Sequence, residues 1–179
     1  MTLHLQPNEK ILYQGEPDTM ILFIWFFGCI LLSAPLAFMF IPVSLLLSKG
    51  LFAFFSPLWL ASTYLTSFII LVIIIFSYHI ALRKTYKYYI TNERVVFEGG
   101  ILLRRVKSVP YHKITDVSVS QNILERILGI SKLNIHTAGT GIPSPEIQFV
   151  GLTDPEMPQS IIMERLRAFN PIKYPNIGE

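Results

Sequence analysis

The stretch "HIALRKTYKYYITNERVVFEGGILLRR", residues 79–105, decides the fold. Up to Leu82 its residues suit hydrocarbon. From Arg83 they do not: Arg83, Lys84 and Lys87 arrive together with Tyr86, Tyr88 and Tyr89, and continuous apolarity gives way to alternation. Tyr86, Tyr88 and Ile90 fall on one face and Lys87, Tyr89 and Thr91 on the other, the period of a strand. The boundary at Leu82 therefore separates helices upstream from sheet downstream.

Upstream, no charged residue lies between Asp18 and Lys49, or between Lys49 and Arg83. A hydrocarbon core of roughly 30 Å is crossed by about 20 helical residues, and both windows exceed that. The chain is 51% hydrophobic over 179 residues, with a positive mean hydropathy. That composition points to a membrane protein. The first window is too long for a cleaved signal core, and Glu16 and Asp18 precede it where a signal would be basic. It is expected to stay as an anchor. Asp18 is placed to cap its first helix, and Pro35 and Pro42 are expected to kink it. "LFAFFSP", residues 51–57, makes an apolar connection, with Ser56-Pro57 starting the second span. The expected organisation is a polar lead-in over 1–18, a two-helix transmembrane hairpin over 19–82 and a soluble domain over 83–179. "KILYQGEPD" in the lead-in is strand or turn, and the sequence leaves open whether it joins the soluble domain.

The charge is divided unevenly. After Leu82 there are thirteen Lys/Arg against nine Asp/Glu, and before Met20 one Lys against three acids. Basic residues beside spans stay in the cytoplasm. Both termini and the soluble domain are thus expected at the cytoplasmic face of the plasma membrane.

Downstream, "TNER" is a turn, Val95 and Phe97 share a strand face, and Gly99-Gly100 is a two-residue hairpin signal. "ILLRRVKSV" and "ITDVSVSQ" follow as strands, the latter with Val117 and Val119 inward. "NILERILG" is a helical turn stopped by Gly129. "KLNIHT" and "EIQFVGL" are strands joined by the loop "AGTGIPSP". Asp154-Pro155 opens a last helix with Ile162, Leu166 and Phe169 on one stripe. Six short strands and a closing helix make a mainly-β domain, and residues 85–179 look separable.

The pieces "YYITNERV", "GGILLRR", "VPYHKITDVSVSQN" and "ERILGISKLNI" together resemble the bacterial pleckstrin-homology (PH)-like membrane protein family of YdbS type. The resemblance covers about residues 83–169. It implies a PH-like split barrel of antiparallel strands capped by a C-terminal helix, behind two membrane spans, and it implies no reaction.

The residues show no catalytic or metal-binding constellation. His4, His79, His112 and His136 have no metal spacing, Cys29 is a single cysteine, and "AGTG" lacks a phosphate-loop pattern. His79 is placed to reach the headgroups. No Asp, Glu, Lys or Arg lies within either span, so ion-coupled transport lacks ligands. No cofactor and no enzyme activity are expected, and a tethered, modestly basic domain is a poor nucleic-acid binder. The candidate contact residues are Arg83, Lys84 and Lys87 at the exit from lipid, and Arg104, Arg105, Lys107 and Lys113 beyond it. The first three also serve topology, and the others are either solvated strand faces or a contact patch. The expected function is a membrane-anchored binding module touching anionic lipid headgroups or a partner protein. The alternative is an assembly subunit whose hairpin packs on another membrane protein or a second copy, with Gly28, Ser33 and Ala34 as a close-approach surface.

Overall fold

The computed structural model describes residues 6–47, 57–137 and 145–169. His4, Lys49, the connection at 51–56 with its Ser56 cap, and the part of the "AGTGIPSP" loop before Pro145 lie outside the described residues. The chain forms two compact units, one of Met1–Ile21 with Leu82–Glu179 and the other of Leu22–Ala81.

Among the described residues, three helices make up most of the second unit: α1 (Ile21–Phe38), α2 (Phe40–Leu47) and α3 (Pro57–Thr85). The stretches Ile21–Val43 and Leu58–Thr85 are long and apolar enough to cross a membrane. Pro35 is carried inside α1, whereas the interruption falls at Met39. Pro42 explains its place, because proline has no N–H for the carbonyl of Phe38 four residues back and its ring crowds that carbonyl. The Met39 N–H turns instead to the Leu36 carbonyl, at 3.1 Å.

Ring contacts set α1 and α3 antiparallel. Trp25 and Phe26 meet His79 and Phe76, while Phe38 meets Tyr64. Cys29, Ser33 and Ala37 recur every fourth residue and are all buried. Small side chains on one stripe let helix backbones approach, and the hydroxyls of Tyr64 and Ser67 reach the carbonyls of Ala34 and Ala37. Ser33 and Ala34 therefore serve the hairpin's own packing rather than an outside partner, and of the expected close-approach surface Gly28 alone is exposed. His79 is also turned inward: its Nδ1 donates to the Ile75 carbonyl at 2.8 Å and its ring lies against Trp25.

Among the described residues, the first unit has seven strands in two antiparallel sheets. One is ordered β1 (Ile11–Gly15), β2 (Lys87–Thr91), β3 (Arg94–Gly99), β4 (Arg105–Pro110), and the other β5 (Ile114–Ser120), β6 (Ser131–Thr137), β7 (Ile147–Leu152). The lead-in strand β1 pairs with β2, Gly15 opposite Tyr88 and Ile11 opposite Thr91. All three helices are thus inserted between two neighbouring strands of one sheet. Helix α4 (Ile123–Ile127) bridges β5 and β6, and α5 (Glu156–Phe169) follows β7.

The core lies between the sheets. Tyr88 stacks on Phe149 of the other sheet at 4.5 Å, and Ile90, Val95, Leu133 and Ile135 are fully buried around them. The Tyr88 hydroxyl donates to the Val150 carbonyl at 2.8 Å and accepts the Val150 N–H at 3.0 Å, joining β2 to β7. Asp154 accepts from the N–H groups of Glu156 and Met157 to start α5, which sends Ile162 and Leu166 into the core. Phe169, on the same stripe, is half exposed and stacks on Tyr111 at 5.5 Å.

Two strand expectations change. Val117 is buried but Val119, nearer the strand end, is 38% exposed. More consequentially, Gly99-Gly100 is not the two-residue turn its sequence suggests. Gly99 is paired with Arg105, so residues 100–104 form the loop and "ILL" stands outside the ladder.

Candidate functional site

The register defines two ends of the four-stranded sheet. Gly15, Lys87, Gly99 and Arg105 lie at the near end, and Ile11, Thr91, Arg94 and Pro110 at the far end. The near end is where α3 finishes. Its last residue, Thr85, donates its hydroxyl to the Leu82 carbonyl at 2.7 Å and accepts the Gly100 N–H at 3.1 Å. The helix end and the β3–β4 loop are thereby joined. Gly100 has φ +109°, and a side chain there would run into the Leu103 carbonyl oxygen. Only glycine makes that turn without strain.

A cavity of about 240 Å³ opens at this junction, lined by Lys84, Lys87 and Arg104 together with Glu98, Thr85 and Gly100. Three cations face one carboxylate. Arg104 Nε lies 2.7 Å from Glu98 Oε1, so these two charges offset one another within the cluster. Lys84 is exposed and Lys87 half-buried. Tyr89 is buried under the pair, and its hydroxyl is pushed up, first by burial and then by the Glu98 charge. Arg105 is exposed beside Gly99 at the start of β4.

The other candidates go elsewhere. Arg83 donates through Nε to the Pro17 carbonyl at 3.0 Å and lines a separate cavity of about 270 Å³ that also holds Glu16, Asp18 and Asp154. There Asp18 joins the start of α1 to the end of β7: it accepts from the Met20 N–H and the Thr153 hydroxyl, and its own N–H donates to the Gly151 carbonyl. The Met20 N–H is the main reason its carboxyl titrates below the usual range. Lys107 Nζ lies 3.2 Å from Glu146 Oε1 and bonds the Glu146 carbonyl at 2.9 Å, tying β4 to the entry of β7. Lys113 follows Pro110 at the far end and is exposed. Lys84, Lys87, Arg104 and Arg105 are thus brought to one place, while Arg83, Lys107 and Lys113 are not.

Sequence reasoning missed the far-end cluster. Glu9 is buried, and both its oxygens are held by Arg94, with Nε–Oε1 at 2.8 Å and Nη2–Oε2 at 2.9 Å. The Thr91 hydroxyl donates to the same carboxylate at 2.8 Å. Arg94's hydrogen bonds are the largest cause holding the Glu9 carboxyl at about 2. Glu9 sits in the lead-in and Arg94 at the start of β3, and nothing in their local sequence couples them.

Among the described residues, no three His, Cys, Asp or Glu side chains are grouped to hold a metal. The near end offers cations and backbone rather than a nucleophile with its base, an arrangement suited to holding an anionic group. The sequence model of the bacterial PH domain matches residues 21–166. No curated protein and no solved structure matches the chain.

Proposed function

The chain belongs to the bacterial PH domain family, and from that premise we propose that it is a membrane-anchored, non-enzymatic binding module. Helices α1 to α3 form the transmembrane hairpin, and the PH-like domain and both termini are cytoplasmic. Large apolar side chains support the anchor: Leu31 is 77% and Leu58 83% exposed, with Phe27, Ile73 and Ile74 also outward. Such a surface is unfavourable in water and suits lipid.

The observation that carries the binding role is the grouping of Lys84, Lys87, Arg104 and Arg105 at the sheet end where α3 finishes. A leaflet of anionic headgroups is the nearest complementary ligand, and each such cation contributes on the order of 1 kcal/mol there. The test is native mass spectrometry of the full-length protein released from detergent with phosphatidylglycerol and phosphatidylcholine in competition. Retention of phosphatidylglycerol, lost in the Lys84→Glu/Lys87→Glu double variant, is the expected result. Equal retention of both lipids by the unaltered protein would sink the headgroup role.

A second reading, an assembly subunit of a membrane complex, is favoured by α4, where Ile123 and Ile127 are 81% and 74% exposed. Capture of one stoichiometric membrane partner, abolished by Ile123→Asp/Ile127→Asp, would support it. Unchanged capture by that variant would remove α4 from the argument.

A further inference from the structure

We infer that the tip of the β3–β4 loop, Ile101–Leu103, enters the acyl layer of the leaflet at which α3 ends. The inference rests on the reading of α3 as a membrane span. Because Gly99 pairs with Arg105, the tip is outside the ladder, and its three consecutive apolar side chains are 40%, 88% and 72% exposed. A soluble surface scatters such residues singly; a contiguous run of them marks a contact with something apolar. The occupant is specified by what the tip is tied to. Gly100 bonds Thr85, the final residue of the apolar helix α3, so the tip is held beside the point where that helix leaves the hydrocarbon.

Its flanks have the matching order of polarity. Lys84 and Lys87 stand on the helix side and Arg104 and Arg105 on the strand side, with the apolar residues of the loop between Gly100 and Arg104. Cations at phosphate depth with aliphatic side chains one step deeper is the distribution an interfacial element adopts. A protein partner would be met equally well by apolar side chains alone. The ring of cations, continuous with the end of a span, selects the lipid surface.

The role of the tip goes beyond charge attraction, because it sets depth and orientation. With β1 and β2 both running into the helices, and the β3–β4 tip seated in the same leaflet, the sheet is held at three points rather than two.

The experiment uses the full-length protein with Cys29, buried in the hairpin, replaced by alanine. An environment-sensitive thiol fluorophore is placed singly by Leu102→Cys, Ile73→Cys or Lys113→Cys. Each protein is reconstituted in phosphatidylethanolamine–phosphatidylglycerol vesicles with or without nitroxide on the acyl chains. Acyl-chain quenching is expected at 102 and 73, and iodide quenching alone at 113. If 73 is quenched by nitroxide while 102 responds only to iodide, the anchor stands and the inserted tip is overturned. If 102 is shielded from both quenchers, protein rather than lipid covers the tip, and the inference is again overturned. If 73 is not quenched by nitroxide, the span itself is wrong, and the tip proposal falls with it.

Discussion

The two ends of the four-stranded sheet carry the same kinds of residue and use them differently. At the far end Glu9 and Arg94 meet in a two-point pair, with Thr91 on the same carboxylate and the carboxylate wholly buried. Tyr111 closes that end by donating its hydroxyl to the Thr91 carbonyl at 2.6 Å. At the near end Glu98 and Arg104 also pair, but the Arg104 side chain is 44% exposed, and Lys84 and Lys87 line the same cavity. Burial makes the difference. A buried charge without its partner is costly, whereas an exposed pair adds little because water already solvates both ions. The far end is therefore built to hold, and the near end leaves its charges open to water.

The comparison breaks most decisively if the lead-in is dispensable. Deleting residues 1–18 removes β1 and Glu9 together, taking the buried carboxylate away from Arg94 and Thr91 and leaving β2 unpaired on one side. The fragment 85–179 has the same defect. It is expected to be cleaved by limited proteolysis under conditions in which the full chain resists. Equal resistance would show that the far-end lock is ornamental.

Glu9→Ala isolates the pair. Removing one partner of a buried pair costs on the order of 3 kcal/mol, read as a lower thermal midpoint of the solubilised protein. The pH dependence has a definite sign. The Glu9 carboxyl is held at about 2 in the folded protein against 4.5 as a free side chain, so the folded form binds its proton less readily. Its stabilisation is complete above 4.5 and fades as pH falls from there towards 2. Glu9→Gln is expected to flatten that segment of the stability curve. An unchanged acid limb in the variant would assign acid sensitivity to other groups.

Between the ends, Tyr88→Phe leaves the Val150 N–H and carbonyl without their shared partner. A loss of about 1–3 kcal/mol is expected from orphaned buried groups, measured by the same melts. A change below the resolution of that measurement would mean that the ring, rather than the hydroxyl, carries the joint. Smallest of all should be Lys107→Ala at the near side of β4. Its pair with Glu146 is half exposed, and the expected effect is below about 1 kcal/mol. A larger loss would move Lys107 from a surface tie to a structural one and blur the contrast between the ends.

Much of the domain was legible from local chemistry. Alternation at 86–91 and 114–118 marked strands, Asp154 marked the start of α5, and Gly129, with φ +67°, stopped α4 as glycine does. Gly99-Gly100 misled because a two-residue turn competes with the constraint from Thr85. Once the Gly100 N–H is taken by that hydroxyl and the ladder closes at Arg105, five residues must form the loop. Of the basic residues, Lys84, Lys87, Arg104 and Arg105 were brought to one sheet end, whereas Lys107 found Glu146 and Arg83 found the Pro17 carbonyl. Such partners lie far off in sequence, at separations of 39 and 66, where no local pattern reaches.

By itself the sequence determined the two apolar stretches, the change from helix to strand period after Leu82, and the caps, because each depends on residues a few positions apart. Tertiary structure alone decided that β1 completes the sheet across the inserted helices, that Glu9 meets Arg94, and that "ILL" stands exposed beside the end of α3. Those outcomes depend on which distant backbone groups find one another as the two sheets close over Tyr88 and Phe149, and on which charges that closure removes from water.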